Sequence, residues 1–197
     1  MPDARGHDII TVITGFAMLP PAYAAYSASQ PQQVAVPLSL LFGAHLLSGM
    51  LFSPDLDLDS AIDDRWGWFS WIWWLYTWLI PHRHFWSHGL ILPPLLRLAY
   101  FFGALFLLIF VLARGLAALG MIVPDYHIRL ANALMSLANE HPTETQVFLL
   151  GFITGGAAHT IADWLVTGGK RYLSRLGFRS RRSYANHDYS IHRSRSW

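Results

Sequence analysis

In "SPDLDLDS", Asp55, Asp57 and Asp59 alternate with Leu56 and Leu58, so in an extended segment all three carboxylates point one way and both leucines the other. Carboxylates bunched like this repel one another unless cations neutralise them, and a bound divalent ion would do so. A solvated acidic loop is the plain alternative; the glycine and distal glutamate of an EF-hand do not follow at the right spacing. In "PHRHFWSHGL", residues 81 to 90, His82, His84 and His88 put three imidazoles into seven positions. Neutral imidazole is the commonest nitrogen ligand of metals. Arg83 offers a fork of donors suited to a carboxylate or an anionic substrate group. Histidines that only hydrogen-bond lipid headgroups are the competing explanation for this stretch.

In "HTIADW", His159 and Asp163 stand four apart, which on a helix stacks them on one face a turn from each other. A His–Asp hydrogen bond tying helices together would need the same spacing. The run Gly155-Gly156-Ala157-Ala158 just before them lets another helix approach closely. "GHDIIT" adds His7 and Asp8 just before the first apolar segment, and His45 lies inside the second, where a structural hydrogen bond is at least as good an explanation as a metal bond. His127, His141, His187 and His192 are expected on the surface, in loops or tail.

Composition sets the medium in which these residues work. The 197 residues are 53% hydrophobic and only 13% charged, about half the usual charged share of a soluble domain. Cysteine is absent, so thiolate zinc sites, iron–sulfur clusters and disulfides are excluded, and any metal is held by His, Asp and Glu. Residues 170–197 carry eight Lys/Arg against the single acid Asp188, which leaves an acidic body and a basic tail. Domain boundaries follow: a membrane helical metal-binding domain over 1–169 and a basic cytoplasmic tail over 170–197. No Ser nucleophile elbow, Walker motif or HExxH appears, which argues against the commoner soluble hydrolases.

The elements that must position the ligands are membrane helices. An all-α, polytopic bundle is expected, with about four transmembrane helices near 9–28, 34–53, 92–118 and 147–167, each long enough for roughly 30 Å of hydrocarbon. Pro20-Pro21 is expected to kink the first, and Pro93-Pro94 to open the third. "WGWFSWIWWLYTWL", residues 66 to 79, is too short to span and holds six tryptophans, so it reads as a short interfacial helix. The first segment lacks a clear cleavage site and is expected to stay in the mature protein. Basic residues after the last span place the C-terminus in the cytoplasm, and four crossings put the N-terminus there too. The aspartate loop, the Trp helix, "PHRHFWSH" and the lower end of the last span then share the cytoplasmic side, while loops at 29–33 and 119–146 face away. The expected location is the cell inner membrane, with membrane lipids as partners and no nucleic acid, since the basic tail lacks aromatic interleaving.

The ordered set "GHDIIT", "SPDLDLDS", "RWGWFSWIWW", "PHRHFWSHG" and "HTIADW" resembles the bacterial uncharacterised metal-binding proteins grouped as domain of unknown function 2227, over about residues 5 to 168. More distantly it is similar to LexA-regulated, membrane-bound metal-dependent hydrolases. The resemblance implies a metal site using His7, Asp55, Asp57, His82, His88, His159 and Asp163. In the hydrolases the histidine pair is spaced five apart, whereas His82 and His88 are six apart; His84 stands outside the expected ligand set.

Seven ligands exceed what one four-coordinate ion requires, which leaves room for two. With only oxygen and nitrogen donors, Zn, Mn or Fe would fit. As an enzyme, the protein would use the metal to lower the pKa of a bound water for attack on an ester or phosphoester, with Asp59 as general base, Arg83 on an anionic group and a lipid-like substrate entering beside the Trp helix. The alternative is a non-catalytic structural or sensory membrane protein whose ion clamps helices together. A metal transporter ranks behind both, because only His45 offers a ligand at mid-membrane.

Overall fold

The computed structural model describes residues 4–29, 33–53, 63–79, 89–121 and 125–175. Regular structure among the described residues is helical throughout: α1 (Ala4–Ser29), α2 (Ala35–Leu51), α3 (Asp63–Trp66), a 3-10 stretch (Gly67–Trp73), α4 (Trp74–Leu79), α5 (Leu92–Ala118), α6 (Tyr126–Glu140) and α7 (Pro142–Arg175). The chain divides at Ala162: residues up to Ala162 form one compact unit, and α7 from Asp163 onward belongs to a second.

Among the described residues, three helices are long and apolar enough to cross a membrane, over Arg5–Ala28, Leu92–Ala118 and Pro142–Val166; α2, at 17 residues, is a shorter apolar helix. The third expected segment coincides with α5, which Pro93 and Pro94 open at its first positions, where their missing N–H groups cost nothing. Gly120 closes it: at φ +80 its N–H bonds Ala117 O while Met121 N–H reaches back to Leu116 O, a Schellman cap. Helix α1 runs through Pro20 and Pro21 without a break, and it begins earlier than expected. His7 and Asp8 therefore lie within its first turns, not ahead of it.

The expected loop over 119–146 is corrected. Residues 126–140 form the helix α6, which packs against α5. Its apolar side chains, including Ile128, Leu134 and Leu137, are interleaved with Arg129, Asn132 and Glu140, a short amphipathic pattern that stands out poorly beside a 27-residue apolar span. His127, expected on the surface, is buried, with its ring edge-on to Phe106 and Phe110 at 5.6 and 5.1 Å. His141 is exposed, as expected.

Packing inside the first unit depends on close backbone approach. A Cβ on Gly151 would collide with the carbonyl of Leu41, and one on Gly155 with the carbonyl of His45, so α2 and α7 touch along glycine faces. A Cβ on Gly49 would likewise strike Thr11, which seats α2 against α1. The aromatic core gathers on Phe52, whose ring meets Trp66, Trp73, Phe101 and Phe152 at centroid distances of 5.5, 5.4, 5.4 and 5.2 Å, in the edge-to-face manner such rings prefer. The Trp-rich segment is thus two-faced. Trp73 is buried in that core, while Trp68, Trp71, Trp74 and Trp78 stand exposed.

Candidate metal centre

Helix periodicity separates two residues that are adjacent in sequence. His7 is turned inward and 4% exposed, whereas Asp8, about 100° further round α1, reaches outward to Arg65 with Asp8 Oδ2 to Arg65 Nη2 at 2.6 Å. The His7 ring lies flat on that of His159, with centroids 3.7 Å apart and planes 10° from parallel. His159 is 1% exposed on α7. Asp163 opens the second unit, yet it sits one turn from His159 on the same unbroken helix, so helix geometry fixes its place. Each of His7, His159 and Asp163 offers one ligand atom, all within 4.8 Å of one another, and all three residues are buried.

Two imidazoles and a carboxylate form a donor set of the kind that holds zinc or another first-row divalent ion. A tetrahedral site with bonds near 2.0–2.1 Å puts its donors roughly 3.4 Å apart, so closing around an ion needs movements of about an ångström. The residues present fit a divalent metal.

Of the other expected site residues, Asp55, Asp57, Asp59, His82, Arg83 and His88 lie outside the described residues, as does His84. The segments flanking residues 54–62 are held by hydrogen bonds. Helix α2 ends at Leu51 with its last carbonyls in need of partners, and side chains from later elements supply them. Arg65 Nη1 donates to Met50 O at 2.9 Å, Trp66 Nε1 donates to Leu51 O at 2.9 Å, and the buried Arg97 of α5 donates through Nη1 to Phe52 O. The end of α2 and the start of α3 are therefore held at one point, which Arg65 also ties to Asp8, the neighbour of His7. At the start of α5, Pro94 lies where a Cβ on Gly156 would strike it, and Gly156 is one turn before His159.

Sequence reasoning did not single out Arg65, Trp66 or Arg97. The signal for Arg97 was available: it is a lone arginine near the start of a long apolar helix, where a charge needs a partner. The role left open for His45 is a structural one. Its Nε2 faces Thr11 O at 3.1 Å and Thr14 Oγ1 at 3.0 Å, and its Nδ1 faces Thr154 Oγ1 at 3.1 Å. A carbonyl only accepts, so Nε2 carries the proton and donates to it, while Nδ1 shares the Thr154 hydroxyl with the Gly151 carbonyl, 2.9 Å from that oxygen. Both nitrogens are committed to α1 and α7, which removes His45 from the metal ligands.

The model of the family described as Uncharacterized metal-binding protein (DUF2227) matches residues 2–173. The chain belongs to this family. The match spans α1 through nearly all of α7 and so takes in His7, His159 and Asp163 together. No curated protein and no solved structure matches the chain.

Proposed function

We propose that the protein is a multi-pass inner-membrane metalloprotein that hydrolyses an ester or phosphoester, with a lipid-like substrate, at the cytoplasmic face. The observation that carries the metal reading is the buried His7–His159–Asp163 cluster. In this reading α2 crosses the membrane as a fourth span: its 17 residues give about 25 Å of helix, near the lower limit for a bilayer core. Both termini and the basic segment 170–197 are cytoplasmic, and the exposed tryptophans of 68–78 sit at the headgroup level.

Asp55, Asp57, His82 and His88 complete the ligand set begun by His7, His159 and Asp163. The anchoring of Met50, Leu51 and Phe52 by Arg65, Trp66 and Arg97 supports this for the aspartates, because it holds the two flanks of residues 54–62 together, and Arg65 in turn reaches α1. The closeness of Pro94 to the turn of α7 preceding His159 supports it for the histidines. A bound Zn, Mn or Fe ion, or two, would supply Lewis-acid activation of water at neutral pH. Around it Asp59 takes the proton from water, Arg83 holds an anionic group of the substrate, and the buried walls exclude bulk water. The motif likeness to LexA-regulated hydrolases belongs to this reading.

A non-catalytic clamp is the second reading, favoured by one observation: the His7 and His159 rings are in direct contact and already join α1 to α7. Elemental analysis of detergent-purified protein separates the possibilities when paired with turnover of generic phosphoesters. Stoichiometric metal in the wild type, lost in His159→Ala, Asp57→Ala and His88→Ala, supports the site. Equal metal in all four proteins rejects it. Metal without metal-dependent turnover leaves the clamp.

A further inference from the structure

A groove of about 510 Å³ lies beside α1 and α2, on residues separate from the metal cluster. Its walls are apolar: Leu46, Leu47, Met50 and Leu51 recur at the spacing of one helix face, and with Gly43 they make a stripe about 12 Å long. At the end of that stripe the groove is rimmed by one charge of each sign, Asp8 and Arg65. Their side chains are 33% and 27% exposed, so the pair is accessible from outside while holding its own 2.6 Å contact. Arg65 has five N–H donors in a fixed fork, and its bonds to Met50 O and Asp8 use two of them.

Gly43 explains why the groove is open. A glycine inside a helix costs about 0.5–1 kcal/mol relative to alanine. At Gly49, Gly151 and Gly155 close packing against a neighbouring helix accounts for the residue, but a Cβ at Gly43 would meet nothing within 4 Å. The space that a side chain there would fill is the groove itself.

We infer that this groove is a phospholipid-binding site: an acyl chain lies along Gly43, Leu46, Leu47, Met50 and Leu51, while Arg65 takes the headgroup phosphate and Asp8 takes a primary ammonium. The charge pattern selects the lipid. A guanidinium alone would favour any phosphate, but a carboxylate 2.6 Å away disfavours a headgroup with only negative charge. A quaternary ammonium has no N–H to give Asp8, so the fitting headgroup is phosphoethanolamine. The inference rests on the membrane-spanning reading above but not on the presence of a metal.

Native mass spectrometry of the full-length, detergent-purified protein with added phosphatidylethanolamine, phosphatidylglycerol or phosphatidylcholine tests it. The wild type is expected to bind phosphatidylethanolamine at least tenfold more tightly than the other two, and water-soluble glycerophosphoethanolamine not to compete. Gly43→Phe fills the groove and is expected to weaken phosphatidylethanolamine at least tenfold with unchanged thermal unfolding and metal content. Asp8→Asn keeps the shape and is expected to abolish the preference over phosphatidylglycerol. Equal binding of the three lipids, competition by the soluble headgroup, or Gly43→Phe protein that still binds like wild type would each overturn the proposal. Carbonate extraction tests the underlying reading separately. A chain released from membranes ends both, whereas one that stays embedded and binds no phosphatidylethanolamine ends only the groove.

Discussion

His45 and Thr154 are hydrogen-bonded across the α2–α7 interface, Nδ1 to Oγ1 at 3.1 Å. The same imidazole reaches α1 through Nε2, so one side chain ties three helices together at the level where Gly155 meets the His45 carbonyl. His45→Phe keeps the bulk of the ring but strands the groups it served. The expected loss is about 1–3 kcal/mol, read as a lower unfolding temperature in detergent. Metal stoichiometry of the folded fraction should stay at the wild-type value. A metal loss in that fraction would make His45 a metal ligand after all.

Glycines provide a paired comparison. Gly155→Ala pushes a methyl group into the backbone of α2 and is expected to cost roughly 1–3 kcal/mol. Gly43→Ala meets no atom and is expected to be neutral or to stabilise by up to about 1 kcal/mol through helix propensity. Thermal unfolding of the two variants side by side decides it, and equal melting would contradict the close packing of α2 on α7.

Trp66→Phe preserves an aromatic ring beside Phe52 but deletes the N–H that Leu51 O accepts. Only a modest stability change, on the order of 1 kcal/mol, is expected from the lost hydrogen bond. The informative readout is metal affinity: with the anchor of the aspartate loop loosened, it should fall about tenfold, the scale typical of residues that position ligands. Wild-type affinity in this variant would disconnect the anchor from the site.

Chelation should lower the unfolding temperature of the wild-type protein, because an ion that binds the folded chain adds about 2.7 kcal/mol when its concentration is a hundred times the dissociation constant. In His7→Ala the chelator should have no further effect. A chelator-sensitive unfolding temperature in that variant would place the ion elsewhere.

Much of this arrangement was readable in the chain, for reasons that differ by residue. His159 and Asp163 were legible because four residues are about one helical turn, and α5 because a 27-residue, mostly apolar stretch opened by prolines and followed by a glycine points to a spanning helix. His7 needed its motif context, since nothing local distinguishes it from Asp8; only the direction each takes from α1 separates the buried cluster from the ion pair. The carbonyl partners of Arg65, Trp66 and Arg97 were hidden because the end of a helix advertises its unmet acceptors in three dimensions and not in sequence. Helix α6 was missed because its alternation of apolar and polar residues is short and resembles a polar loop beside the spans.

The flat contact between His7 and His159 has a geometric corollary. A nitrogen lone pair lies in the plane of its ring, and two stacked rings with centroids 3.7 Å apart and planes 10° from parallel have no nearby point that lies in both planes. Occupancy by a single ion bonded to both imidazoles therefore requires at least one ring to swivel out of register.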